Sequence, residues 1–188
     1  MRAVFLDRDG VINRDVGIKV YPKRLHIFKK SFKAIRILNK KYKIIVVTNQ
    51  PHVARGLCTE KDVVALNKWL SNQMKKNDAR IDAIYYCPHH PEQRTVARHA
   101  MKYRIICECR KPDVGMLKSA RKKFRLDMKK CYMIGDRTID ILTGRRAGCK
   151  TILVKTGKSG KDGKFDVKPD YEFKDLYSAA LFIDRNDK

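Results

Sequence analysis

Short apolar runs return along this chain at regular intervals, each followed by a stretch of helical period, and that alternation leaves few architectures open. Residues 3–7 read as a strand; residues 30–41 carry Phe32, Ile35 and Leu38 at helical spacing; residues 44–48 are nearly all β-branched, as a strand covered on both faces requires. Thr59 and Asp62 form a capping box for a helix running to about Lys76, with Val63, Leu66, Leu70 and Met74 on its apolar side. Residues 83–87 return as a strand. Pro112 suits the first turn of a helix containing Leu117, Ala120 and Phe124. Residues 132–135 then predict a strand, 138–147 a helix closed by Gly148, 151–154 another strand, 171–173 a short strand, and Leu176, Ala180 and Ile183 a last helix. The pattern predicts an α/β fold, a doubly wound parallel sheet with helices on both faces, and puts ligands at the carboxyl ends of the strands.

Those ends carry chemistry. Asp7-Arg8-Asp9-Gly10 closes the first strand with two carboxylates two residues apart, Thr48-Asn49-Gln50 closes the second with a hydroxyl, and Asp136 and Asp140 follow Met133-Ile134-Gly135. Cys109-Arg110-Lys111-Pro112 sets a cation before a helix start. Phosphate-ester hydrolysis needs a nucleophile, a proton donor for the leaving oxygen and positive charge for the non-bridging oxygens. Alone, an acid followed by glycine at a strand end is an ordinary turn; acid pair, hydroxyl, lysine and acid pair in fixed order say more.

In that order the four motifs resemble those of the haloacid dehalogenase-like phosphohydrolases over roughly residues 1–160. Further matches, Val11-Ile12-Asn13, Ala54-Arg55-Gly56, Tyr86-Cys87-Pro88-His89-His90-Pro91 and Cys107-Glu108-Cys109, resemble the heptose bisphosphate phosphatase group within it, with the histidinol-phosphate phosphatases as near relatives. The resemblance implies a Rossmann-like core without a large cap. It implies Asp7 as a nucleophile that becomes an aspartyl phosphate, and Asp9 as general acid and then base, holding a proton near neutral pH while Asp7 stays ionised. It further implies Thr48 and Lys111 on the reacting phosphoryl group, and Asn49, Gln50, Arg55 and Arg110 as phosphate or substrate contacts. Mg²⁺ is expected on the carboxylates of Asp7 and Asp136 and the backbone carbonyl of Asp9, an oxygen-only set suited to that ion. Asp140 is expected to orient Lys111 or the metal site. The implied reaction is hydrolysis of the 7-phosphate of a heptose 1,7-bisphosphate on the way to ADP-heptose and the lipopolysaccharide core. A histidinol-phosphate or other small-molecule phosphatase, and a polynucleotide end phosphatase, remain as alternatives.

Cys87, His89, Cys107 and Cys109 supply three sulfurs and an imidazole, the ligand set of a closed structural Zn²⁺ site, with His90 and His99 as competing imidazoles. Such a clip would fix the basic 90–106 loop and hold Arg110 and Lys111 in place. The histidinol-phosphate enzymes typically carry a shorter loop there, so its length leans toward the heptose group. Cys131 and Cys149 read as small core residues and Cys58 as a loop thiol without a partner.

The 188 residues allow one phosphatase domain over 1–188 with a zinc loop at about 87–109. The first strand leaves no room for a signal peptide, and no apolar window approaches a membrane span, so a cytoplasmic monomer that does not bind membranes is expected. Forty-four Lys and Arg against 20 Asp and Glu, a net charge of +24, favour an anionic partner. The expected partner is a small phosphorylated sugar. No Arg/aromatic-interleaved stretch argues for nucleic acid. The glycine-lysine segment 157–164 lacks the spacing of a phosphate-binding loop and reads as a surface loop. Pro51-His52 replaces the Ser-Gly usual in the family, and residues 16–24 are unusually basic, which leaves reaction type firmer than substrate identity.

Overall fold

The computed structural model describes residues 1–15, 17, 25–91 and 97–186. The basic 16–24 segment, apart from Gly17, and the middle of the zinc loop therefore lie outside the described residues. Six parallel strands make one sheet: β1 (Ala3–Leu6), β2 (Lys43–Asn49), β3 (Ala83–Cys87), β4 (Tyr132–Gly135), β5 (Lys150–Val154) and β6 (Tyr171–Phe173), in spatial order β3-β2-β1-β4-β5-β6. Among the described residues five α-helices connect and cover them: α1 (Lys29–Asn39), α2 (Glu60–Lys76), α3 (Gly115–Phe124), α4 (Thr138–Arg146) and α5 (Leu176–Asn186).

Strand side chains alternate between the two faces. Val4 and Leu6 of β1 join Tyr132 and Ile134 of β4 in a core with Ile35, Leu38, Leu66, Leu70, Ala180 and Ile183 from α1, α2 and α5. Phe5 and Met133 face the other way, onto Leu117 and Ala120 of α3. Both faces of β1, β2 and β4 are thus covered, which is why these strands read as unbroken apolar runs rather than alternating ones. The capping box of α2 forms as its sequence predicts: Thr59 Oγ1 accepts from the Asp62 amide at 3.2 Å and the Asp62 carboxylate accepts from the Thr59 amide at 2.8 Å.

One boundary differs. Pro112 is not in a first helical turn, because α3 starts at Gly115. The backbone just before is clasped by Asn49, whose side chain donates to the Lys111 carbonyl and accepts from the Lys111 amide, both at 3.1 Å, and Gly115 donates to the Glu108 carbonyl at 2.9 Å. These tertiary bonds hold 111–114 out of helix until the chain has cleared the strand ends. No helix among the described residues is long and apolar enough to cross a membrane.

Candidate active site

The chain runs outward from β1 through β2 to β3 and then returns to add β4 on the other side of β1. Where the strand order reverses, the loops after β1 and β4 diverge and leave a crevice. Asp7 follows β1 there and Asp136 follows β4, while Thr48 is the penultimate residue of β2. A cavity of about 260 Å³ opens over them, lined by Asp7, Asp9, Thr48, Arg55, Arg110 and Lys111 among others.

Lys111 lies at its floor, 2% exposed, and Nζ donates to Asp7 Oδ1 at 2.9 Å, Asp140 Oδ1 at 2.6 Å and the Val47 carbonyl at 2.9 Å. Burial opposes its charge, but Asp140 and Asp7 outweigh that and push the ammonium well above its usual range. Burial lifts Asp7 to about 6, with Lys111 pulling down and Asp140 pushing up. Asp136 is pushed up to about 8, first by burial and then by the charges of Asp7 and Asp140. Three acids therefore crowd together with one lysine paired to two of them.

A divalent cation fits that imbalance. Asp7, Asp136 and Asp140 each offer an oxygen within 4.8 Å of the others. Asp136 Oδ2 accepts from the Lys158 amide at 2.6 Å, whereas its buried Oδ1 has no hydrogen-bond partner. Gly10, at φ +90°, passes so close that a Cβ there would collide with the Asp136 carboxylate, so glycine is required both for the turn and for the space. Oxygen-only donors, an orphaned carboxylate oxygen and excess negative charge suit Mg²⁺. Asp140, committed to Lys111 and to the Arg137 amide at 3.2 Å, serves the lysine, one of the two roles its sequence position allows.

Asp9 is held differently from expectation. Its carboxylate accepts from Arg8 Nη2 at 2.8 Å, Arg8 Nε at 3.2 Å, Asn13 Nδ2 at 2.8 Å and Gln50 Nε2 at 3.0 Å. Burial works against the ionised form, yet Arg8 and the amide donors overcome it and hold Asp9 below the usual carboxylate range. Asp9 in this structure is thus an ionised acceptor and does not keep a proton near neutral pH. Asp7, expected to stay ionised, is the one that burial raises. Arg8 and Asn13 went unremarked as site residues in the sequence, where an arginine between two acids looks like a solvated cation; Arg8 is 3% exposed and its Nη1 also donates to Asn67 of α2 at 3.0 Å.

Gln50 and Asn49, expected as substrate contacts, line the cavity, but their amides face inward. Gln50 Nε2 also donates to Thr48 Oγ1 at 3.0 Å, linking that hydroxyl to Asp9, and Asn49 clasps the Lys111 backbone. Arg110 lines the cavity and donates to the His89 carbonyl at 3.1 Å. Arg137, not singled out in the sequence, lines the wall and pairs with Asp15 at 2.9 Å. His52 is there too, its buried Nδ1 without a partner.

Behind this wall Cys87, His89, Cys107 and Cys109 converge. His89 Nδ1 lies 3.3 Å from Cys109 Sγ, and the sulfurs of Cys87, Cys107 and Cys109 stand 3.1–3.6 Å apart. All four ligand atoms fall within 4.8 Å of one another, a donor set and spacing that suit a tetrahedral Zn²⁺. Among the described residues His90 and His99 are not part of the cluster. The cluster is tied to the cavity at both ends: the Gln50 amide donates to the Cys87 carbonyl at 2.8 Å, and Arg110 and Lys111 follow Cys109 directly. Glu60 of α2 anchors the loop by accepting from Tyr86 and Tyr103 at 3.1 and 2.7 Å.

Known proteins resemble this chain in sequence and fold. The family model described as "HAD-hyrolase-like" matches residues 108–179. The chain is 40% identical over 158 residues, 83% of its length and 81% of the relative's, to the D-glycero-beta-D-manno-heptose-1,7-bisphosphate 7-phosphatase of Salmonella typhi. It is 39% identical over 162 residues, 84% of each, to the D-glycero-alpha-D-manno-heptose-1,7-bisphosphate 7-phosphatase of Photorhabdus laumondii. A solved D,D-heptose bisphosphate phosphatase from B. bronchiseptica, complexed with magnesium and phosphate, superposes with a TM-score of 0.83 at 28% identity, covering 99% of each chain. Fold, site and relatives agree: the chain belongs to the heptose-1,7-bisphosphate 7-phosphatase family of the haloacid dehalogenase-like hydrolases.

Proposed function

We propose that the protein is a Mg²⁺-dependent phosphatase that removes the 7-phosphate of D-glycero-D-manno-heptose 1,7-bisphosphate in the supply of ADP-heptose for the lipopolysaccharide core. The observation that carries this reading is the Lys111 ammonium buried between Asp7 and Asp140 at the strand-order reversal, under a cavity whose outer wall adds Arg55, Arg110 and Arg137. One phosphoryl group occupies the floor; a second anionic group needs the outer cations.

In the reaction, an Asp7 carboxylate oxygen attacks phosphorus in line, and the bond from phosphorus to the sugar oxygen breaks. Lys111 and the Thr48 hydroxyl balance the non-bridging oxygens. For the departing sugar oxygen Asp9, held ionised by its donors in the free site, first takes up a proton from solvent and then passes it to that oxygen as the bond to phosphorus breaks. Water then attacks the aspartyl phosphate, Asp9 takes its proton, and phosphate leaves as the bond to Asp7 breaks. The Arg8, Asn13 and Gln50 donors favour the ionised, proton-accepting form of Asp9 that this second half requires, and Gln50 fixes it relative to Thr48. Mg²⁺, which would be held by Asp7, the Asp9 carbonyl and Asp136, would supply charge neutralisation for the reacting phosphate. Zn²⁺ on Cys87, His89, Cys107 and Cys109 is structural, since the four protein ligands leave no position for a reacting water. The free thiols of Cys58, Cys131 and Cys149 support a cytoplasmic setting, and a monomer is the simplest assembly for a site built from one chain.

The test is phosphate release from heptose 1,7-bisphosphate, histidinol phosphate and a 3′-phosphorylated oligonucleotide, with wild type and Asp7→Asn. The bisphosphate should be hydrolysed with the highest kcat/KM, and Asp7→Asn should be inactive on all three, since an amide cannot attack phosphorus. A variant retaining a tenth of wild-type turnover would overturn the covalent mechanism.

A further inference from the structure

The glycine-lysine segment after β5, which its sequence marks as a plain surface loop, is fixed to Asp136. Gly157, at φ +66°, leaves no room for a Cβ against the Asp136 carboxylate. The next amide, Lys158, donates to Asp136 Oδ2 at 2.6 Å, and the Gly160 amide donates to the Asp136 carbonyl at 2.7 Å. Asp162 then caps α4, accepting from the Thr138 amide at 2.8 Å and the Thr138 hydroxyl at 3.0 Å. A loop held on both sides of Asp136 and at the start of α4 does not wander, so the residue two places beyond the last anchor is delivered to a fixed position. That residue is Lys164.

Lys164 lines the cavity over Asp7 and also a second cavity of about 290 Å³ beside the zinc loop, lined by Ile105, Ile106, Asp113 and Phe165. Lys111 and Arg110 are the other cations common to both. Lys111 is already committed to Asp7 and Asp140 on the floor. Arg110 and Lys164 are therefore the two remaining cations that line both spaces. Arg110 comes from the zinc loop and Lys164 from the loop on Asp136, so they approach those spaces from different parts of the chain. A bisphosphate with one phosphoryl group against Asp7 and Lys111 has to carry its other phosphate away from the floor, and the shared lining offers it two cations.

The geometry points to Lys164 as a specificity-determining residue that binds the distal phosphate of the substrate opposite Arg110, an inference that rests on the bisphosphatase reading above. Arg110 gives planar, directional donors and Lys164 a point charge that tolerates small differences in where the distal phosphate lies. Lys164 contacts no reacting atom and serves binding, so it acts on KM with little effect on kcat.

The experiment compares heptose 1,7-bisphosphate with heptose 7-phosphate, the same sugar without the distal group, for wild type, Lys164→Ala, Lys164→Arg and Lys164→Glu. Lys164 is exposed, so the variants should fold, and unchanged melting temperatures check this. Expected is a rise in KM for the bisphosphate of about three- to tenfold in Lys164→Ala, as for a partly exposed charge-assisted contact. A larger rise in Lys164→Glu, near-wild-type behaviour in Lys164→Arg, and no change on the 7-phosphate complete the expected pattern. Equal effects on both substrates, or none on either, overturn the assignment while leaving the bisphosphatase reading intact. A wild-type enzyme that turns over the 7-phosphate as well as the bisphosphate overturns the bisphosphatase reading, and with it the role of Lys164.

Discussion

At the residue scale the site is a problem of charge. Asp7 and Asp140 bind Lys111, Asp136 brings a third carboxylate within 4.8 Å of theirs, and Asp136 Oδ1 is buried without a partner. A carboxyl raised in the folded state is destabilising wherever it is ionised: the loss begins as pH passes the unfolded value near 4 and is complete above the folded value, about 8 for Asp136. The metal-free fold is thus strained by the same charges that bind its ion. Asp136→Asn removes one of them and keeps the size, so the metal-free variant should melt higher than wild type at neutral pH, by about 2–4 °C per kcal/mol relieved. The gain should come with loss of metal response. Mg²⁺ at a hundred times its Kd stabilises a binding protein by about 2.7 kcal/mol, and the variant should show none of that. Thermal melts with and without Mg²⁺ decide it; an Asp136→Asn protein stabilised by Mg²⁺ as much as wild type would remove Asp136 from the ion. Single residues also mark the limit of sequence reading. Asp7, Thr48 and Asp136 stood out because each ends an apolar run, and Lys111 because of its place in the motif order, whereas Arg8 has no local signature, and only the fold shows that it reaches both Asp9 and Asn67.

At the scale of elements, the Cys87, His89, Cys107 and Cys109 cluster, proposed above to hold Zn²⁺, is the part whose disruption should be graded rather than fatal. It sits behind the cavity wall, joined to it through the Cys87 carbonyl and through the Cys109-Arg110-Lys111 sequence. Protein purified without added metal should carry about one Zn per chain. EDTA treatment followed by Mg²⁺ alone should restore activity, since a four-ligand thiolate site holds its ion while Mg²⁺ exchanges. Cys109→Ser should lose Zn, melt lower, and raise KM more than it lowers kcat, because the cation it displaces first is Arg110; a zinc-free wild-type protein that is folded and fully active would refute the clip. Elements were also where the sequence was most legible. Strand 132–135 falls at the predicted residues because a buried parallel strand is a run of local apolar character, and the edge strands 83–87 and 171–173 fall there as well although they are only partly buried. The start of α3 was not legible, since Asn49 and Glu108 determine it from elsewhere in the chain. Nor was the docking of the 157–164 loop, whose glycines look like flexibility until Asp136 is seen to need the space.

Across the whole molecule, part of the +24 charge sits at the end of the sheet opposite the site. In a parallel sheet with crossover helices, helix C-termini gather at the end opposite the site. There α2 ends in Lys75 and Lys76, α3 in Arg121, Lys122 and Lys123, α4 in Arg145 and Arg146, and α5 in Arg185. Cations at helix C-termini complement the macrodipole, which accounts for part of the excess as a stabilising feature of the elements themselves. The field of so many charges still acts on an approaching anion, and it acts more strongly on one of greater charge. At low salt the Debye length approaches the molecular dimensions, about 30 Å at 0.01 M, and shrinks to about 8 Å at 0.15 M. The kcat/KM for heptose 1,7-bisphosphate should therefore fall as NaCl rises over that range, and should fall more steeply than that for heptose 7-phosphate, because screening removes attraction in proportion to substrate charge. Mg²⁺ is held constant and saturating in both series, so that salt does not act through the metal. A steeper slope for the bisphosphate assigns the excess charge a part in substrate capture; equal slopes would confine it to helix termini and solubility, and leave discrimination between the two sugars to the cations inside the cavity.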